Sequence, residues 1–275
     1  MKAGIVNLCE KVGMSRQNFY KGRKSRKKGA VNGALIEMLV KTERAVQPRI
    51  GGRKLHHMFK GELAEAGVSI GRDRFCKVLS DSGLKLAPLP KAPRTTNSQH
   101  NLPVFTNQFK NLEVGKKNEA WVADITYIRT ADDFIYLSLI TDSYSHKIVG
   151  YHAGDSLKAT ESVKALEMAI AGLKEGEKPL HHSDRGGQYC SHVYAGKLQD
   201  CGMAISMTEE NHCYENAMAE RVNGILKQEY WLGGCFKNKE QAVIAVEQAI
   251  YLYNTRRPHL ALKYKTPEEA HREVA

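Results

Sequence analysis

The chain has 275 residues, of which 42% are apolar and 26% charged. That is an ordinary globular balance about two domains long, which excludes a disordered or fibrous chain, and no apolar run approaches the roughly 18–20 residues of a membrane span. The net charge of +11 is uneven: residues 1–100 carry 21 Lys and Arg against 7 Asp and Glu, while residues 101–275 carry 20 against 23. A basic first third on a near-neutral body points to a polyanion partner, most simply nucleic acid; a solvated basic surface is the equal alternative.

The start of the chain breaks to Asn7 and Glu10 before a signal-peptide core can form, so a cytoplasmic protein is expected. The six cysteines, Cys9, Cys76, Cys190, Cys201, Cys213 and Cys235, form no C-x-x-C pair, which predicts reduced thiols. His56 and His57 are adjacent with no paired cysteines after them, which argues against zinc.

Ile5, Leu8, Cys9 and Val12 have helical spacing, and Gly13 follows as a stop. Ser15 is an N-cap for a second helix, giving a basic helix-turn-helix unit over 1–30. Arg16, Gln17, Tyr20 and Lys21 fall in its candidate recognition helix, and Arg23 and Lys24 open a phosphate-seeking run to Lys28. A second such unit is predicted over 31–84. Leu35 to Val40 mark one helix and Leu55 to Leu63 another; Gly67, Ser69 as cap, and a basic helix with Arg72 and Arg74 then repeat the earlier order. Residues 85–104, with Pro88, Pro90, Pro93 and Pro103, read as a linker.

From 105 to 275 strands and helices alternate. Strands are predicted at 121–128, 134–141, 147–152, 180–184 and 204–207, a helix around Val163 to Leu173, and further helices near 215–230 and 240–253. This is a mixed five-stranded α/β sheet layered by helices, preceded by all-α units.

Three acids stand out. Asp124 interrupts an apolar strand, a costly place unless it is paired or metal-bound. Asp184 ends a strand just before Arg185-Gly186-Gly187, where sites open at sheet edges. Glu220 lies in a predicted helix, and Lys227, seven residues on, shares its face. Three carboxylates together suit Mg²⁺, and two such ions suit phosphodiester chemistry. Taken singly, each acid has a plainer role, as ion-pair partner, turn former or solvated helix residue. Asp142 reads as a turn residue, His181 and His182 as packing, Trp121 and Trp231 as core or interface. Arg256, Arg257 and His259 either touch DNA or end the last helix.

The spacing joins the three acids: 59 residues separate Asp124 from Asp184, and 35 separate Asp184 from Glu220. With the words Trp121-Val122-Ala123-Asp124-Ile125-Thr126-Tyr127, His182-Ser183-Asp184-Arg185-Gly186-Gly187-Gln188-Tyr189, Cys213-Tyr214-Glu215-Asn216-Ala217-Met218-Ala219-Glu220-Arg221 and Tyr253-Asn254-Thr255-Arg256-Arg257-Pro258-His259, the chain resembles the OrfB transposases of bacterial insertion-sequence family three, along essentially its whole length. One departure is Glu215, where that family more often has Asp.

The resemblance implies an RNase H-like, retroviral-integrase-like catalytic core from about residue 105. It implies Asp124, Asp184 and Glu220 as catalytic ligands of Mg²⁺ or Mn²⁺, two ions in all, cutting element ends and joining a DNA 3′-OH to target DNA. Arg221 and Lys227 become DNA contacts beside them. Double-stranded DNA, further copies of the chain on that DNA, and an upstream OrfA product or fusion are the implied partners, in the bacterial nucleoid. The rivals are a hydrolysis-only nuclease of the same fold and a catalytically silent DNA-binding regulator.

Overall fold

The computed structural model describes residues 5–87, 102–209 and 216–273. Most of the predicted linker, residues 88–101, lies outside them. So do 210–212 of a polar loop and Cys213, Tyr214 and Glu215 of the third motif. The chain forms two compact units, Met1–Ala87 and Pro88–Ala275.

In the first unit, α1 (Ile5–Lys11) stops at Gly13, whose φ of 63° lets the Met14 N–H return to the Cys9 carbonyl at 2.9 Å. Ser15 caps α2 by accepting from the Asn18 N–H at 3.2 Å. Helix α2 then runs unbroken from Arg16 to Val46. This corrects the division at residue 30: the basic run and the apolar Leu35–Val40 stretch are one helix. Gly22, Gly29 and Gly33 each cost about 1 kcal/mol but do not stop a helix otherwise built from Lys, Arg, Ala and Leu.

Helices α3 (Gly52–Met58), α4 (Lys60–Glu65) and α5 (Arg72–Asp81) follow. The helix expected from Leu55 to Leu63 is split at Phe59, and α5 is capped by Gly71 rather than Ser69. Gly67 and Gly83, both at φ 69°, end their helices by returning Val68 N–H to Leu63 O and Leu84 N–H to Leu79 O, each at 2.7 Å. Ile36, Val40, Ile50, Leu55, Phe75 and Leu79 close the core. In the first half of α2, Arg16, Lys21, Arg23, Lys24, Arg26 and Lys28 are exposed.

The second unit is built on a sheet. Strands β1 (Ala120–Thr130), β2 (Phe134–Asp142) and β3 (Ile148–Gly154) form an antiparallel meander, and β4 (Leu180–Ser183) and β5 (Ile205–Met207) add in parallel. The order is β3-β2-β1-β4-β5, the expected mixed five-stranded sheet. A further two-residue strand, β6 (Cys235–Phe236), pairs with the far end of β1. Helices α6 (Ala159–Ala171), α7 (Gly187–Cys190) and α8 (His192–Asp200) cover one face. Helices α9 (Ala217–Glu229) and α10 (Lys239–Thr255) cover the other.

Alternation along β1 assigns its side chains. Trp121, Ala123 and Ile125 point to the α6–α8 layer, while Ile128 packs with the α9–α10 layer. Asp124 therefore faces α9. Glycine decides the α6 spacing: a Cβ on Gly150 of β3 would stand 2.2 Å from the Ala165 carbonyl and 2.8 Å from Ala169 Cβ.

The tail settles the remaining single-residue readings. Arg257 is buried, and its guanidinium donates to both Glu229 oxygens at 2.8 Å and meets His259 at 2.9 Å, so it ties α9 to the chain after α10. The last helix, α11 (Pro267–Arg272), is held through Ser145, whose hydroxyl donates to Asp142 at 2.6 Å and lies 2.9 Å from His271 Nδ1. Asp142 is thus the buried last residue of β2, whose carboxylate holds the turn that follows, rather than a residue of that turn; burial pushes its carboxyl up, but bonds from His271, Ser145 and Asn118 hold it below the usual range. Trp121 is core, but Trp231 is 52% exposed with φ 63° and is not. Among the described residues no helix is long and apolar enough to cross a membrane.

Candidate active site

Parallel pairing places the first two acids. Residues 120–123 of β1 lie beside 180–183 of β4, ending at Ala123 opposite Ser183. The next residue on each strand is Asp124 and Asp184, so the two carboxylates sit side by side where β4 ends. Asp124 accepts from the Ile125 N–H at 2.9 Å and from Asn223 Nδ2 at 2.7 Å. Asp184 accepts from the Gly186 N–H at 2.9 Å. The turn is close-packed: a Cβ at 186 would stand 3.0 Å from Asp184 Oδ1 and 3.2 Å from Gln188 Oε1. Arg185 turns aside and donates to the Thr208 carbonyl at 2.7 Å.

Helix α9 supplies the third acid. Its N-cap residue Asn216 is buried and donates to the Ala123 carbonyl at 2.9 Å, directly before Asp124. About two turns into the helix Asn223 holds Asp124 itself. Between these two anchors Glu220 stands exposed in the first turn, its charge felt at Asp124. Neither asparagine was singled out from the sequence. The available signal was a short polar side chain three residues after Glu220, on a helix whose neighbours at that face are Val222 and Leu226.

The electrostatics are those of crowded acids. Burial, then the neighbouring Asp184 charge, pushes the Asp124 carboxyl up to about 7; the bonds from Asn223 and Ile125 oppose this, and Glu220 adds to it. Lys227 is half-buried, and burial pulls its ammonium down while Asp124 pulls it up. Among the described residues its ammonium makes no hydrogen bond.

The structure brings Asp124 and Asp184 together and sets Glu220 near them, but it does not close the three into a tight cage: among the described residues no group of three or more acids, histidines or cysteines is gathered closely enough to hold a metal ion. The donor chemistry still fits a hard divalent cation. Carboxylate oxygens are its preferred ligands, and a carboxyl forced toward its neutral form at pH 7 marks a site short of positive charge. Among the described residues the buried Oδ1 atoms of Asn216 and Asn223 also lack partners.

The remaining sequence-predicted residues are dispersed. Arg16, Gln17, Tyr20 and Lys21 line a shallow exposed depression on α2, with Arg23 and Lys24 exposed beyond it. Arg72 and Arg74 are exposed on α5, and Arg72 donates to Asp73 at 2.8 Å. Arg221 lines an open groove of about 330 Å³ along α9 with Glu220, Gly224 and Gln228.

Comparison with known proteins agrees with this architecture. Two integrase core domain family models match residues 115–213 and 201–267. The uncharacterized 31 kDa protein of insertion element IS600 from Shigella sonnei is 33% identical over 265 residues, spanning 94% of this chain and 96% of that protein. The transposase for insertion sequence element IS629, also from Shigella sonnei, is 30% identical over 209 residues, spanning 76% of this chain and 70% of its own length. Among solved structures, a chain of the simian T-cell lymphotropic virus intasome superposes with a TM-score of 0.51 at 19% identity, over 82% of this chain and 75% of that one. Fold and site together define an RNase H-like integrase core. The chain belongs to the IS3 family of insertion-sequence transposases, enzymes of phosphodiester transfer.

Proposed function

We propose that this transposase cuts the ends of its element and joins them to target DNA at Asp124, Asp184 and Glu220, which act as ligands of two Mg²⁺ or Mn²⁺ ions. The single observation behind this reading is the placement of Asp124 beside Asp184 where β4 ends, with α9 anchored to the same point of β1 and carrying Glu220. When bound, such ions activate the attacking oxygen and stabilise the leaving one. Asn223 holds one Asp124 oxygen in place. Lys227, half-buried and without a hydrogen-bond partner among the described residues, meets a DNA phosphate, and Arg221 meets another on the outer face of α9. In the joining step a DNA 3′-oxygen bonds to the target phosphorus as the target P–O3′ bond breaks, and the departing 3′-oxygen takes up a proton. One phosphodiester replaces another, so no covalent link to protein and no external energy source are needed.

The basic α2 face, with Arg16, Gln17, Tyr20, Lys21, Arg23 and Lys24, and the α5 residues Arg72 and Arg74 bind double-stranded DNA. We further propose action as a homo-oligomer on paired element ends, cooperation with an upstream OrfA product, and a cytoplasmic, nucleoid-associated location.

The test is strand transfer of labelled element-end DNA in Mg²⁺ or Mn²⁺, with Glu220→Gln beside the wild type. Joined product from the wild type and none from the variant, with DNA binding intact, is the expected result. Cleavage without joining would mean a nuclease. Binding with no reaction, alone and as an OrfA fusion, would mean a silent regulator.

A further inference from the structure

Two buried tyrosines lie behind the acids, and they differ in one respect. Tyr194 on α8 has a partner: its hydroxyl lies 2.9 Å from His181 Nε2. Tyr189, on the short α7 that follows the Asp184 turn, has none among the described residues, although its hydroxyl is fully shielded from solvent. The rings pack edge to face at 5.2 Å, so both fill the same core. A Phe at 189 would fill it equally well and spare the desolvation of an unsatisfied hydroxyl.

The surroundings indicate what the hydroxyl awaits. Asp184 Oδ1 and the Tyr189 ring converge on Gly186, approaching a Cβ position there to 3.0 and 3.6 Å. Burial, then Tyr194, Asp124 and Asp184, raises the Tyr189 phenol, whereas only burial acts on Tyr194. A phenol is in any case a hydrogen-bond donor at neutral pH.

We propose that Tyr189 is a positioning residue of the metal site: with the ions bound, its hydroxyl donates to the Asp184 carboxylate, directly or through one water, and orients that carboxylate as a ligand. This inference rests on the metal-site reading above. Outer hydrogen bonds of this kind are worth about 10–100-fold in metal affinity.

The experiment is a Mn²⁺ titration of the full-length metal-free protein, read from the EPR signal of free Mn²⁺, with urea denaturation in EDTA alongside. Four proteins are compared: wild type, Tyr189→Phe, Tyr194→Phe and Asp184→Asn. Tyr189→Phe should bind Mn²⁺ at least about tenfold more weakly, keep or raise its urea midpoint, and regain DNA cleavage at saturating Mn²⁺. Tyr194→Phe should do the opposite, with a lower midpoint and unchanged Mn²⁺ affinity. Wild-type affinity in Tyr189→Phe, with binding lost in Asp184→Asn, would overturn this inference and leave the metal site standing. Weakened binding together with a lowered midpoint in Tyr189→Phe would reduce the residue to packing and also overturn it. No Mn²⁺ binding by the wild type would remove the metal site and this inference with it.

Discussion

Replacing Asp124 with Asn should make the metal-free protein more stable. The wild-type carboxyl ionises at about 7 in the folded chain against an ordinary value of 3.8, because of burial and the Asp184 charge. The folded state thus holds a proton that the unfolded state releases at lower pH, and stability falls as pH rises through that window. At 1.36 kcal/mol per pKa unit the loss by pH 8 is about 4 kcal/mol. Asparagine carries no charge and escapes it. It also accepts fewer bonds, while the wild-type oxygens accept from Ile125 N–H and Asn223 Nδ2. Turning the Asn223 amide would offer its Oδ1, unpartnered among the described residues, to the new amide, so both bonds are kept but become neutral, a loss of roughly 1 kcal/mol. The net gain is about 2–3 kcal/mol at pH 8, shrinking toward zero near pH 5. Urea denaturation in EDTA at the two pH values, followed by the fluorescence of buried Trp121, measures it. Added Mg²⁺ should stabilise only the wild type and narrow the gap. A variant less stable than wild type at pH 8, or an equal difference at both pH values, would refute the argument.

Gly150→Ala should lower stability by about 1–3 kcal/mol in the same assay, because its Cβ meets the Ala165 carbonyl and α6 must lift from β3. Arg257→Met should cost about 3–5 kcal/mol by stranding the Glu229 charge; a loss below 1 kcal/mol would show that the pair is dispensable. Neutralising Arg23, Lys24, Arg26, Lys27 and Lys28 should weaken DNA binding and flatten the slope of log affinity against log salt by up to about 4. An unchanged slope would exclude this run from the DNA interface.

The linear order held more of the core than of the helical unit. Strands β1 to β3 were legible because each is a β-branched or apolar run bounded by turn residues, and β4, Leu180 to Ser183, because it ends on an acid just before a Gly-rich turn. The three acids were legible through their spacing and flanking words, which hold whether or not the chain is folded. The α2 helix was misread because a Gly-containing basic run looks like a boundary, and only packing of Ile36 and Val40 against α3 to α5 shows that it continues. The tail motif was ambiguous for a similar reason: Arg257 is a DNA-seeking cation in isolation and a buried ion-pair partner once Glu229 is brought to it from 28 residues away.

Composition, periodicity and spacing are local properties, and they were enough for the five main strands and for α6, α9 and α10, but not for α7, α8 or α11; they also singled out the three acids. Proximity is not local. That Asp124 and Asp184 share one edge follows from the parallel register of β1 and β4. That α9 is pinned there by Asn216 and Asn223, and that among the described residues Tyr194 finds a partner for its buried hydroxyl while Tyr189 does not, depends on which side chains meet across 13 to 99 residues of chain. Hydrogen bonds and desolvation act over a few ångströms, so only the folded chain decides them.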